Sequence, residues 1–122
     1  MSNTRICFVR HGETNWNAER RMQGHIDIPL NANGISQAER LANALIRVKH
    51  SFDVIYSSDL ERALHTANAV ARALSLDVQI TPRLRERNVG KLQGLLLAEA
   101  PVLLPEIWQR HIARELDHDL GG

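Results

Sequence analysis

Three short apolar runs, residues 5–9 (RICFV), 53–56 (DVIY) and 77–80 (DVQI), are separated by two longer stretches whose apolar residues recur at helical spacing. A run of four or five residues of this kind, ended by charge, glycine or proline, reads as a strand buried on both faces, as in a parallel sheet. In the first stretch Ala38, Leu41, Ala42, Leu45 and Val48 form one stripe, and Ser36 followed by Glu39 fits a capping box. That pattern predicts a helix over 35–49. In the second, Leu60, Ala63, Leu64, Ala67, Val70, Ala71 and Leu74 form the stripe, with Ser57, Ser58 and Asp59 as cap candidates. This helix is expected to end near Ser75. Strand, helix, strand, helix, strand with short links is the order of parallel crossovers, so the expected class is α/β, a three-layer α/β/α sandwich on a mainly parallel sheet. Past Pro82, residues 83–94 read as a charged loop. A last helix is expected from about Pro105, with Trp108, Ile112, Leu116 and Leu120 facing inward.

The chain of 122 residues fits one domain, 1–122, and with four prolines and seven glycines it has no disordered or low-complexity character. Fifteen basic against fourteen acidic side chains leave a formal charge of +1, which removes the main argument for a nucleic-acid or anionic-membrane partner. Arg83, Arg85, Arg87 and Lys91 form a small basic cluster, but no aromatic residue is interleaved with them. The one cysteine, Cys7, makes no internal disulfide and reads as a core residue of the first strand. No signal-peptide core and no run long enough to span a membrane is visible, so a soluble, cytoplasmic protein is expected.

Residues 12–33 are polar and irregular, a long connection of the sort that usually carries function. In a parallel sheet, ligands gather at the carboxyl ends of the strands. Arg10 and His11 leave the first strand there, residues 57–62 leave the second, and residues 83–87 leave the third. Arginines, one histidine and the carboxylate Glu86 suit phosphoryl transfer. A neutral His11 can attack phosphorus, Arg10 and Arg62 can neutralise the phosphoryl oxygens, and Glu86 can give a proton to the leaving oxygen and later draw one from water. The scheme needs no metal and no cofactor. Taken singly, each residue has a plainer reading: His11 as a surface or capping residue, Glu86 between Arg85 and Arg87 as an exposed ion-pair partner, Arg62 as a solvated helix residue. Arg62 nevertheless stands in a first helical turn, where the dipole disfavours a cation and an anion would explain it. His25 with Asp27 lacks the further ligands a metal site needs.

The run RHGETNWN, residues 10–17, resembles the opening motif of the histidine phosphatase superfamily, the phosphoglycerate mutase-like proteins. The likeness continues through Gln23, Gly24, Asp27, Pro29, Leu30 and Gly34, then in SSDLERALHTA (57–67) and LRERNVGKLQG (84–94). Four separated motifs in order are specific where RHG alone is not. The resemblance implies that His11 is the phosphorylated nucleophile, Arg10 and Arg62 the phosphate clamps, Asn17 a substrate-side hydrogen-bond donor and Glu86 the proton donor, with Gln23 and Gly24 lining the pocket. It also implies a second catalytic histidine in a later strand-end motif. After Glu86 the chain has only His111 and His118, both in a charged, helix-like stretch, which implies an N-terminal portion of a longer domain.

The expected function is therefore a metal-independent phosphomonoester hydrolase or phosphomutase acting through phosphohistidine, with a small phosphorylated substrate. The compact segment around Glu86 favours the phosphatase. The alternative is a non-catalytic phosphate-binding or inactive fragment, and a metal-dependent hydrolase using His25 and Asp27 is a third, disfavoured reading. A first strand without a neighbour would offer an edge on which two copies can pair as a homodimer.

Overall fold

The computed structural model describes residues 3–48 and 51–113. Leu116, Leu120 and His118, and the end of the helix expected at Lys49, lie outside them.

The helices follow the apolar stripes. Helix α1 spans Asn15–Glu19, α2 Ala32–Ile46 and α3 Glu61–Leu74. Strands β1 (Ile55–Ser57) and β2 (Val78–Ile80), which α3 connects, pair in parallel with Ile55 opposite Val78 and Ser57 opposite Ile80. Helices α4 (Ala100–Leu103) and α5 (Pro105–Ile112) follow two 3₁₀ turns, Pro82–Leu84 and Gly90–Leu92. The α/β class and the parallel pairing are as expected.

The core has two parts. Leu30, Ala38 and Ala42 meet Ala69 and Val70 where α2 lies against α3, with Leu41, Leu45, Ile55 and Leu74 around them. Alanines at the crossing let the helix axes approach while the larger side chains fill the flanks. Val89, Leu92 and Ala100 make the second part, under Met22, Leu95, Leu104, Ile107 and Trp108. Trp108 thus faces inward as expected, whereas Ile112 is exposed.

Several expectations are corrected. The run 5–9 carries no ladder among the described residues: Phe8 is 90% exposed, Ile6 70%, and Cys7 lies in the open. A parallel strand is buried only when neighbours pair on both edges. Here a cleft of about 1240 Å³ separates residues 4–9 from residues 54–57. Second, α2 begins at Ala32, because Asn31 accepts the N–H of Gly34 at 2.8 Å and caps it. Ser36 and Glu39 are exposed residues inside the helix. Third, the long loop contains α1, where Thr14 accepts from the Asn17 N–H and Asn17 Oδ1 accepts from the Thr14 N–H. A single turn has no apolar stripe, so only its cap could have revealed it.

The start of α3 also lacks the expected serine or aspartate cap. Ser58 Oγ accepts from the Leu60 N–H, and Asp27, distant in sequence, accepts the Glu61 N–H at 2.7 Å.

Candidate functional site

His11 leaves the exposed run into a turn where two backbones touch. A Cβ on Gly12 would strike the Gly34 carbonyl, and one on Gly34 would strike the Glu13 carbonyl. Glycine at both positions lets the His11 turn lie on the first turn of α2. The turn is tied on either side of Gly12: its N–H donates to Thr66 Oγ1 of α3 at 3.0 Å, and the Glu13 N–H donates to Gln37 Oε1 of α2 at 2.8 Å.

His11 Nδ1 lies 2.6 Å from the Gly12 carbonyl oxygen. A carbonyl only accepts, so the proton is on Nδ1 and the lone pair is on Nε2. Burial holds His11 below the usual imidazole value of 6.5. The Gly12 hydrogen bond and Glu86 pull it up, and the positive charges of Arg62 and Arg10 push it further down. The balance favours a neutral ring at neutral pH.

Arg62 is 1% exposed, and its guanidinium spans two loops. Nη1 donates to the Ile26 carbonyl at 2.6 Å, and Nη2 donates to the Gly24 carbonyl at 2.7 Å and to Glu86 Oε2 at 3.0 Å. The cation in the first turn of α3 thus has protein partners of its own as well as any ligand. Gly24 sits at φ +55°, and a Cβ there would crowd Val89 and Gln93. The loop is fixed from the far side as well: Gln93 Oε1 accepts the His25 N–H, and His25 Nε2 donates to the Glu86 carbonyl at 2.7 Å. Arg85 grips Asp59 with two bonds of 2.6 and 2.5 Å, which holds the Asp59 carboxyl below its ordinary range. These bonds anchor the segment bearing Glu86 over the start of α3.

Arg10, His11, Asn17, Gln23, Gly24, Arg62 and Glu86, the seven residues singled out from the sequence, all line this cleft. Gln23 is buried, and its Oε1 accepts from the Thr14 hydroxyl at 2.7 Å. That hydroxyl has one proton, and the longer 3.1 Å approach to Asn17 Oδ1 competes for it less well. Asn17 Oδ1 is thus engaged by the cap. Trp16 covers Gly94 and does not join the lining. Among the described residues no three His, Cys, Asp or Glu converge on a metal position. His25 and Asp27 are engaged with Glu86 and Glu61, respectively. Thr66 and Gln37 hold the His11 turn as well: Thr66 lies inside the motif SSDLERALHTA, whereas nothing local in the sequence marks Gln37.

Comparison with known proteins follows the same lines. A family model for the histidine phosphatase superfamily (branch 1) matches residues 6–122. Phosphoglycerate mutase-like protein 4 of Arabidopsis thaliana is 43% identical over 118 residues, 96% of this chain and 51% of its own length. The metal-independent phosphoserine phosphatase of the same plant is 40% identical over 98% of this chain and 50% of its length. The chain therefore spans about half the length of these relatives. Among solved structures, a mycobacterial glucosyl-3-phosphoglycerate phosphatase superposes with a TM-score of 0.72 at 38% identity, over 78% of this chain and 44% of that one. A phosphoserine phosphatase from Entamoeba histolytica, in complex with 3-phosphoglyceric acid, gives 0.73 at 34%, over 90% and 52%. None of the described helices is long and apolar enough to cross a membrane. With the motifs in order, their residues on one cleft and the family model matched along nearly the whole chain, this protein belongs to the histidine phosphatase superfamily, branch 1.

Proposed function

We propose that this chain carries the phosphoryl-accepting site of a metal-independent phosphomonoester hydrolase. The observation that supports this most is the His11 Nδ1 bond to Gly12, which leaves the Nε2 lone pair on a ring held neutral, in a cleft shared with Arg10, Arg62 and Glu86. Nε2 attacks phosphorus, the N–P bond forms and the P–O bond of the ester breaks. A proton from Glu86 Oε1, the oxygen not bonded to Arg62, goes to the leaving oxygen. Water then attacks phosphohistidine as Glu86 takes its proton back, releasing phosphate and His11. Arg62 uses three of the five guanidinium N–H groups on the protein, and two remain for phosphoryl oxygens.

The same reading assigns Arg10 and Asn17 to the substrate and takes that substrate to be a small phosphomonoester, in keeping with the near-balanced charge. It favours hydrolysis over mutase transfer because the segment around Glu86 is compact. The cytoplasm as location fits the free thiol of Cys7. Exposed apolar residues at 5–9 support pairing of two copies, which sedimentation would read.

Incubation with a ³²P-labelled phosphomonoester and trapping of an acid-labile adduct tests the proposal. The label is expected on His11 and lost in His11→Ala, with chelator having no effect. Label elsewhere would overturn it, and anion-dependent thermal stabilisation without label or turnover would support a phosphate-binding module instead.

A further inference from the structure

Gly12 lies between two peptide planes, each held by a side chain from a different helix. The plane joining His11 to Gly12 is held through its N–H by Thr66 Oγ1 of α3. The next plane, joining Gly12 to Glu13, is held through its N–H by Gln37 Oε1 of α2. The carbonyl of that second plane is the one that takes the proton of His11 Nδ1. Thr66 is 4% exposed, and its hydroxyl is engaged both ways: it donates to the Arg62 carbonyl at 2.9 Å while accepting from Gly12.

We infer that Gln37 and Thr66 are positioning residues that act on His11 through the backbone, fixing its tautomer and the aim of Nε2 from two helices at once. A peptide plane is rigid, so holding its N–H aims its C=O. Around Gly12 such control is needed, because glycine imposes little restraint of its own on φ and ψ. Without Gln37 the second plane loses the side chain that holds its N–H, and the acceptor of the Nδ1 proton is less firmly aimed. Without the Thr66 hydroxyl the first plane loosens from the helix that carries Arg62, and the Gly12 N–H is left buried and unpaired. Neither side chain touches the phosphoryl group on this account. Their effect is to make one ring nitrogen, in one place, the nucleophile.

The inference rests on His11 being the phosphoryl acceptor, and its test has one arm that does not. Nitrogen-15 NMR of labelled histidine in the 122-residue chain reads the His11 tautomer directly. The Nδ1–H form is expected alone in the parent, in Gln37→Glu and in Thr66→Ser, each of which keeps its acceptor oxygen. A mixture containing the Nε2–H form is expected in Gln37→Leu and in Thr66→Val. Labelling of His11 by an aryl phosphate should slow by roughly tenfold to a hundredfold in the latter pair with phosphate affinity unchanged, and recover in the former. Gln37 is half-buried on α2, so Gln37→Leu carries the test by itself if Thr66→Val does not fold. A single Nδ1–H tautomer in folded Gln37→Leu would overturn the inference. Absence of labelling in the parent, with the tautomers behaving as expected, would count against the phosphatase and leave the positioning role standing.

Discussion

Arg62 and Glu86 meet at 3.0 Å although their surroundings are opposite: the arginine side chain is 1% exposed and the glutamate 60%. The buried partner is also bonded to the Gly24 and Ile26 carbonyls, so the ion pair is one corner of a three-point bracket. Its exposed corner is worth little to stability, because water screens it. The buried corners are where removing the guanidinium is costly.

Arg62→Met should therefore destabilise the fold by about 1–3 kcal/mol, chiefly the cost of the buried Gly24 carbonyl left without its donor, with the part-buried Ile26 carbonyl adding less. In a thermal melt this is a fall on the order of 10 °C. Glu86→Gln should leave the melt nearly unchanged while slowing labelling of His11. Equal destabilisation by both would mean that the exposed contact matters as much as the buried ones.

Acid should act on His11 in a definite direction. Its folded value lies below the ordinary 6.5, so on acidification the unfolded chain takes up this proton first. The contribution to stability is whole above 6.5 and is lost as pH falls below it toward the folded value. The acid limb of His11 labelling should likewise lie below pH 6.5. Rates that fall already above 6.5 would contradict this, and in His11→Gln the share of acid sensitivity due to this residue should vanish from the stability curve.

Gly34→Ala should be costly because the new methyl would meet the Glu13 carbonyl, which is backbone and cannot swing aside. A loss of about 1–3 kcal/mol is expected from such overpacking, together with a displaced His11 ring visible in the NMR spectrum. Alanine at Asn33, exposed on the same first turn of α2, should cost well under 1 kcal/mol.

Leu92 is fully buried among Val89, Ala100, Leu95 and Trp108, below the segment that carries Gln93 and Gly94. Leu92→Ala should lose about 2–5 kcal/mol in chemical denaturation. Because Gln93 orders the loop at His25, phosphate affinity should weaken in the same variant.

The sequence by itself determined the α/β class and marked residues that the fold brings to one cleft. Periodicity of 3.6 marks which face of α2 and α3 is buried, and apolar runs before and after α3 mark β1 and β2, so the α/β order is written locally. Placement at strand ends, together with the family resemblance, marked His11, Arg62 and Glu86, and all three line one cleft. Tertiary structure decided what periodicity does not encode, namely which distant groups meet. Arg62 reads locally as an ill-placed surface cation, and only folding brings two carbonyls and Glu86 to it. The Gly12 N–H finds its acceptor 54 residues away in Thr66. Residues 5–9 look like a buried strand by composition, yet a strand exists only where neighbours form a ladder with it, and among the described residues this run forms none.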